Sequence, residues 1–300
     1  MNRLDGRVAI VTGAGRGIGA SLARTMAREG CAVVVNDLGG GIDGSGENKS
    51  PAQQVVDEIV KAGGTAVANF EDVSNHAAAE KIIQCALDEF GQLDVLVNVA
   101  GILRDRMVFN MTEEEWDAVI RVHLKGTFNT SKFAAIQWRK ERKGHYRLIN
   151  FSSGAGLHGS PGQPNYSAAK LGIVGLTYSC ANALAPYGVT ANAIAPIAAT
   201  RMTSTVPGVE DRFNPDNADV SPDNIAPPVV FLASTESDWL SGRVIGATGF
   251  RMSLYSHYEP IREISSTQPF SLDEAFEQIE HSFRPVVESQ SLQRLMGIGG

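Results

Sequence analysis

The sequence predicts an α/β protein: a Rossmann-like, doubly wound, seven-stranded parallel sheet with helices on both faces, followed by a C-terminal extension. Short β-branched runs alternate with longer segments of helical periodicity over the first 250 residues. The runs are almost continuously apolar, as strands covered on both faces must be. A glycine cluster falls between the first run and the first helical segment, where such folds turn from strand to helix.

Taken in order, residues 7–12 (RVAIVT) read as the first strand, and 17–29 as a helix ended by Gly30. Residues 31–37 (CAVVVND) form a second strand, followed by a glycine-rich stretch at 39–46 and a helix over 51–62. A third strand covers 65–70, a helix 76–90, closed by Gly91, and a fourth strand 93–98. Residues 112–142 keep helical periodicity throughout and open on a capping box, Thr112 with Glu115. A fifth strand at 146–151, a helix at 165–185, a sixth strand at 189–194, a loop at 197–220, a helix at 225–233 and a seventh strand at 243–247 complete the sheet. Right-handed crossovers make it doubly wound. Two domains follow: a dinucleotide-binding catalytic domain, 1–250, and an extension, 251–300. Its aromatics, Tyr255, Tyr258, Phe270, Phe276 and Phe283, predict packing on the domain or on a partner subunit.

The chain has 300 residues, 43% hydrophobic and 20% charged, enough for a core without staples. A net charge of -7 argues against nucleic acid as a partner. Cys31, Cys85 and Cys180 are scattered in apolar segments and read as structural thiols; no metal site is expected. No apolar run approaches a membrane span, the polar N-terminus is not a signal peptide, and the final Gly-Ile-Gly-Gly is not a peroxisomal address. These features point to a cytoplasmic protein.

Thr12-Gly13-Ala14-Gly15-Arg16-Gly17-Ile18-Gly19 would let the backbone approach a pyrophosphate at the positive end of a helix. Asp37, at the end of the second strand, can accept hydrogen bonds from the adenosine ribose and would repel a 2′-phosphate, which selects NAD. Arg16 is a counter-signal, because a cation there could greet that phosphate.

Tyr166 and Lys170 lie four apart and share a helix face. A free tyrosine titrates near pH 10; a neighbouring ammonium together with the positive nicotinamide ring is expected to lower that value and make the phenol a base. Ser153 and Ser152 end the fifth strand, at the carboxyl edge where such sheets bind ligands. Either hydroxyl could meet Tyr166 on one substrate oxygen; the thirteen-residue spacing favours Ser153.

The glycine loop, Asn98-Val99-Ala100-Gly101, Ser153, and Tyr166 with Lys170 together resemble the short-chain dehydrogenase/reductase family, in the same order along residues 3–249. The segments VVVNDLGG (33–40), AGILRDR (100–106), VHLKGTF (122–128) and NYSAAKLG (165–172) are similar, more narrowly, to the (3R)-hydroxyacyl-CoA dehydrogenase domains of type 2 peroxisomal multifunctional enzymes, also called 17β-hydroxysteroid dehydrogenase type 4, and to bacterial stand-alone relatives. The resemblance implies Tyr166 as base, Lys170 on the nicotinamide ribose and Ser153 on the substrate oxygen. It implies Asp72 and Val73 at the adenine, Asn98 beneath the cofactor and bracing the sheet, Ala100 and Gly101 in the cofactor wall, and Pro196 and Thr200 beside the nicotinamide. His123 stands where the family has a catalytic Asn, and Pro196-Ile197 where it has Pro-Gly.

The function expected is NAD-dependent oxidation of a 3-hydroxyacyl-CoA, β-oxidation type, including a sterol side chain among the acyl groups. The alternatives are a 17β-hydroxysteroid dehydrogenase, a 3-ketoacyl reductase and a non-catalytic NAD-binding scaffold. Arg104, Arg106 and Arg201 are candidate anchors for the CoA phosphates. The 112–142 and 165–185 helices carry surplus apolar surface, and the resemblance, in which these helices pair across a two-fold axis, implies a homodimer or homotetramer.

Overall fold

The computed structural model describes residues 2–41, 43–46, 50–142, 144–198 and 218–295. Eight strands make one sheet in the order β3-β2-β1-β4-β5-β6-β7-β8. The strands are β1 (Val8–Thr12), β2 (Ala32–Asn36), β3 (Thr65–Asn69), β4 (Val95–Asn98), β5 (Tyr146–Phe151), β6 (Val189–Ile197), β7 (Val244–Thr248) and β8 (Arg251–Leu254). The first seven are parallel, as expected. β8 pairs antiparallel with β7, Ile245 opposite Leu254, and so adds an eighth strand from residues expected in the extension.

Period-two alternation decides which side chain enters which layer. In β1, Ala9 and Val11 point into one core while Val8 and Ile10 point into the other. On the first face lie α1 (Gly17–Arg28), α2 (Ser50–Lys61) and α8 (Ala226–Ala233), inserting Leu22, Met26, Val55, Ile59 and Leu232. On the second lie α3 (His76–Phe90), α5 (Gly126–Glu141) and α7 (Pro164–Leu184), with Ile82, Ile83, Ala134, Trp138 and Ala181. Trp138 is fully buried and its indole N–H donates to the Leu93 carbonyl at 2.8 Å, so no polar atom is stranded.

The helix expected over 112–142 is not continuous. The capping box at Thr112 and Glu115 starts α4 (Glu113–Ile120), but a wide π turn, Arg121–Lys125, intervenes before α5. The turn carries His123 inward, to 2% exposure. Unbroken 3.6-residue periodicity cannot reveal a single inserted residue, and π turns concentrate at functional sites. A short helix, α6 (Gly154–His158), follows β5, and β6 runs through Pro196 and Ile197 into the stretch expected to be loop.

One compact unit spans Met1–Ser256 and a second His257–Gly300. The second contains α9 (Leu272–Ser282), opened by a capping box at Ser271 and Glu274, and α10 (Arg284–Leu295). Among the described residues, no helix is long and apolar enough to cross a membrane.

Candidate active site

The strand order reverses between β1 and β4, and the crevice at their carboxyl ends is where open α/β sheets take ligands. A cavity of about 540 Å³ lies there. The Thr12 hydroxyl receives the Val99 and Ala100 N–H groups at 3.1 and 3.2 Å, tying the glycine loop to the end of β4. The two segments touch so closely that a Cβ on Gly13 would lie 2.7 Å from the Ala100 Cα, and one on Gly19 would lie 2.2 Å from the Gly13 carbonyl oxygen. Gly17 adopts φ +53°, open to glycine at little cost. Arg16 caps α1 without a side-chain bond, and no acidic residue stands in the first turn. The helix start therefore keeps its positive end for an anion. Gly13, Arg16, Gly17, Ile18 and Gly19 all reach the cavity wall.

Asp37 also lines the cavity, and its carboxylate is fixed by two backbone donors, Gly15 N–H at 2.8 Å and Gly39 N–H at 2.6 Å. The Arg16 guanidinium is turned onto the Gly40 carbonyl at 3.4 Å. Asp72 and Val73 line the same wall; Asp72 accepts from the Ser74 N–H and hydroxyl at 2.7 and 2.8 Å. Ala100, Gly101 and Pro196 complete the expected wall. Asn98 does not reach it. Its amide braces the sheet, donating to Asn150 at 2.9 Å and accepting from Thr130 at 2.7 Å. Thr200 and Arg201 lie outside the described residues.

Of the two serines, Ser152 is among the residues lining the cavity and Ser153 is not. The Ser152 hydroxyl is buried and donates to the Lys170 carbonyl at 2.9 Å, whereas Ser153 caps α6 and hydrogen-bonds Tyr166. Lys170 is 4% exposed, sits 5.5 Å from the Tyr166 ring centre and donates to the Phe151 carbonyl at 2.7 Å. Both groups titrate far from their ordinary values. Burial pushes the Tyr166 phenol up to about 12, against the lowering effect of the Ser153 bond. Burial pulls Lys170 down to about 7. The lowering expected from the ammonium is not among the influences on the phenol, which burial raises and Ser153 lowers.

His123 is held neutral, its pKa pulled down to about 3 first by burial and then by the Lys170 charge. Its Nε2 lies 2.8 Å from the Ile102 carbonyl and 3.0 Å from the Ile102 N–H. Its ring meets Tyr166 edge-on at 5.2 Å between centres. Gly101 packs on that ring so tightly that a Cβ would fall 2.1 Å from Cε1.

The proposed CoA anchors are differently engaged. Arg106 pairs with Glu115 at 2.8 Å, and Arg104 donates to the Asp43 carbonyl at 2.8 Å. Arg104 and Arg121 line the cavity. Sequence reasoning did not single out Arg121, the covering loop around Gly40, Gly41 and Gly44, or Asn36, whose buried amide joins β2 to Asn69 and Glu71. The glycine-rich run after the second strand was the available signal for the loop.

These features define a short-chain dehydrogenase, and comparison with known proteins places the chain there: the short chain dehydrogenase family matches residues 7–209, and the chain belongs to that family. It is 45% identical over 264 residues to a protein of Mycobacterium tuberculosis named hydroxyacyl-CoA dehydrogenase ChsB1, covering 84% of this chain and 80% of that one. It is 49% identical over 204 residues to the peroxisomal hydratase-dehydrogenase-epimerase of Neurospora crassa, covering 68% of this chain but only 22% of that one. A crystal structure of a short chain dehydrogenase from Mycobacterium avium superposes with a TM-score of 0.80 at 46% identity, over 96% of this chain and 95% of the other.

Proposed function

We propose that the chain oxidises a 3-hydroxyacyl-CoA to the 3-ketoacyl-CoA with NAD. The observation that carries this is the convergence of Ser153, Tyr166 and Lys170 at the carboxyl edge of the sheet, beside a cavity whose other end is a glycine cradle. The substrate class follows the mycobacterial relative, which matches over 84% of this chain and 80% of its own length and is named for that chemistry.

The substrate C–O–H loses its proton to Tyr166 Oη and a hydride from the same carbon, leaving a carbonyl. A bound nicotinamide dinucleotide supplies the hydride acceptor and, when oxidised, a positive charge. Ser153 donates to the substrate oxygen and holds it at the phenol. Lys170 supplies the chain's own cation. A protonated Lys170 beside the ring favours the phenolate. The NAD preference rests on Asp37, whose charge faces the cavity and is held by two backbone donors. Assembly as a homodimer or homotetramer is supported by Phe128 and Ile136 on α5 and Leu171 on α7, all at least 40% exposed.

The test is turnover of the purified chain with NAD and NADP against a 3-hydroxyacyl-CoA series, a 17β-hydroxysteroid and, in reverse, a 3-ketoacyl thioester. The account expects the hydroxyacyl-CoA with NAD to give the highest kcat/KM. Steroid preference, NADPH-driven reduction alone, or cofactor binding without turnover would each replace it with a different function.

A further inference from the structure

Asn165 precedes the catalytic tyrosine, at the second position of α7. A helix start carries N–H groups without intrahelical partners, and here the usual remedies are missing. Gln163 caps without a side-chain bond, and Pro164 has no N–H to offer. Asn165 meets the need in its own way. Its Oδ1 accepts the Tyr166 N–H at 2.7 Å, while its Nδ2 donates to two carbonyls, Arg104 and Glu115, both at 3.0 Å. The residue is 0% exposed, and both amide protons are engaged. One side chain thereby joins three segments: the Tyr166 helix, the first turn of α4 and the strand-exit segment around Arg104.

Two neighbouring links run the same way. The Arg106 N–H donates to the Gly162 carbonyl at 2.7 Å, and the Gln163 amide donates to Asp105 at 2.8 Å. Residues 104–106 are therefore stitched to 162–165 one residue after another. At the other end of that segment, His123 holds Ile102. Gly101, Ile102 and Arg104 form part of the cavity wall that also contains Tyr166. The stitched segment sets where a substrate can sit relative to the phenol.

We infer that Asn165 is a positioning residue for the dehydrogenase reaction: it fixes the substrate-side segment 101–106 against Tyr166 and so sets the approach of the alcohol to its base. It acts through Tyr166 and the Arg104 carbonyl and touches no reacting atom. The inference rests on the dehydrogenase reading above. Misplacing reacting groups by about 1 Å costs on the order of 10²-fold in rate, so a slack clamp should be visible in kcat.

Asn165→Ala removes all three bonds. Asn165→Asp keeps the acceptor for the Tyr166 N–H and sets a carboxylate oxygen against the Arg104 and Glu115 carbonyls in place of the paired donors, a harsher break of the same links. Amide hydrogen exchange, NAD affinity and steady-state kinetics are measured on both variants and the native chain. Faster exchange in 101–106 is expected, with β1 and β4 unchanged. kcat should fall by about 10- to 100-fold, while the Kd for NAD stays within about twofold, because the glycine loop and Asp37 make no contact with this amide. If Asn165→Asp does not fold, Asn165→Ala, which leaves no buried charge, decides. Native-like exchange in 101–106, an unchanged kcat, or parallel losses of NAD affinity and kcat would each overturn the inference. Kinetics use whichever secondary alcohol the native chain oxidises, so failure of the acyl-CoA reading shows in the native chain and failure of the clamp shows in the variants.

Discussion

Replacing Lys170 with methionine should make the protein more stable and nearly inactive. Lys170 is 4% exposed, and its pKa falls from 10.5 to about 7 because burial opposes its charge. At about 1.4 kcal/mol per pK unit, folding with this lysine costs about 5 kcal/mol at low pH and little less at neutrality. Methionine removes that cost and fills a similar volume. It also orphans the Phe151 carbonyl, which accepts from the ammonium at 2.7 Å, a loss of about 1–3 kcal/mol. The net expectation is a gain of about 2 kcal/mol or more near pH 7. The sign with pH follows from the depressed folded pKa. Between about 7 and 10.5 the unfolded chain binds more protons than the folded one, so native stability rises with pH through that window. The variant's advantage should therefore be largest at or below about pH 7 and fade towards about pH 10.5. Urea unfolding of both proteins at several pH values measures it. A variant less stable than the native chain at neutral pH, or a difference that ignores pH, would refute the reasoning.

Other outcomes follow from the same geometry. Asp37→Ala should narrow the preference for NAD over NADP, and should weaken NAD binding as well because Gly15 and Gly39 lose their acceptor; competitive binding of the two cofactors checks it. Gly101→Ala forces a methyl to within 2.1 Å of the buried His123 ring and should cost about 1–3 kcal/mol in unfolding free energy, with a fall in kcat as the ring that packs on Tyr166 is displaced. Sedimentation at micromolar concentration should show a dimer or tetramer, and Phe128→Lys with Leu171→Lys should shift it towards monomer.

The parallel sheet was legible because strands buried on both faces must be apolar runs, and such runs stand out between amphipathic helices. The capping box at Thr112 and the glycine junction were legible for the same local reason. β8 was not: all four of its residues are exposed, so no core face imposes a pattern on it. Nor was the π turn, whose His123 meets Ile102, a partner 21 residues away in sequence. Spacing of four correctly put Tyr166 and Lys170 on one helix face, yet it carried no information about desolvation, which reverses the expected shift of the phenol. Asn165 was invisible as a clamp, since its carbonyl partners lie 50 and 61 residues off in sequence.

The central claim is that Tyr166 accepts the alcohol proton in an NAD-dependent oxidation. Tyr166→Phe keeps the ring against His123 and removes only the hydroxyl that bonds Ser153. Its direct test pairs NADH formation from a 3-hydroxyacyl-CoA with NAD binding, on the native chain and this variant. The account predicts turnover reduced by about 10²-fold or more with NAD affinity nearly unchanged. Substantial turnover by the variant would place the base elsewhere and contradict it.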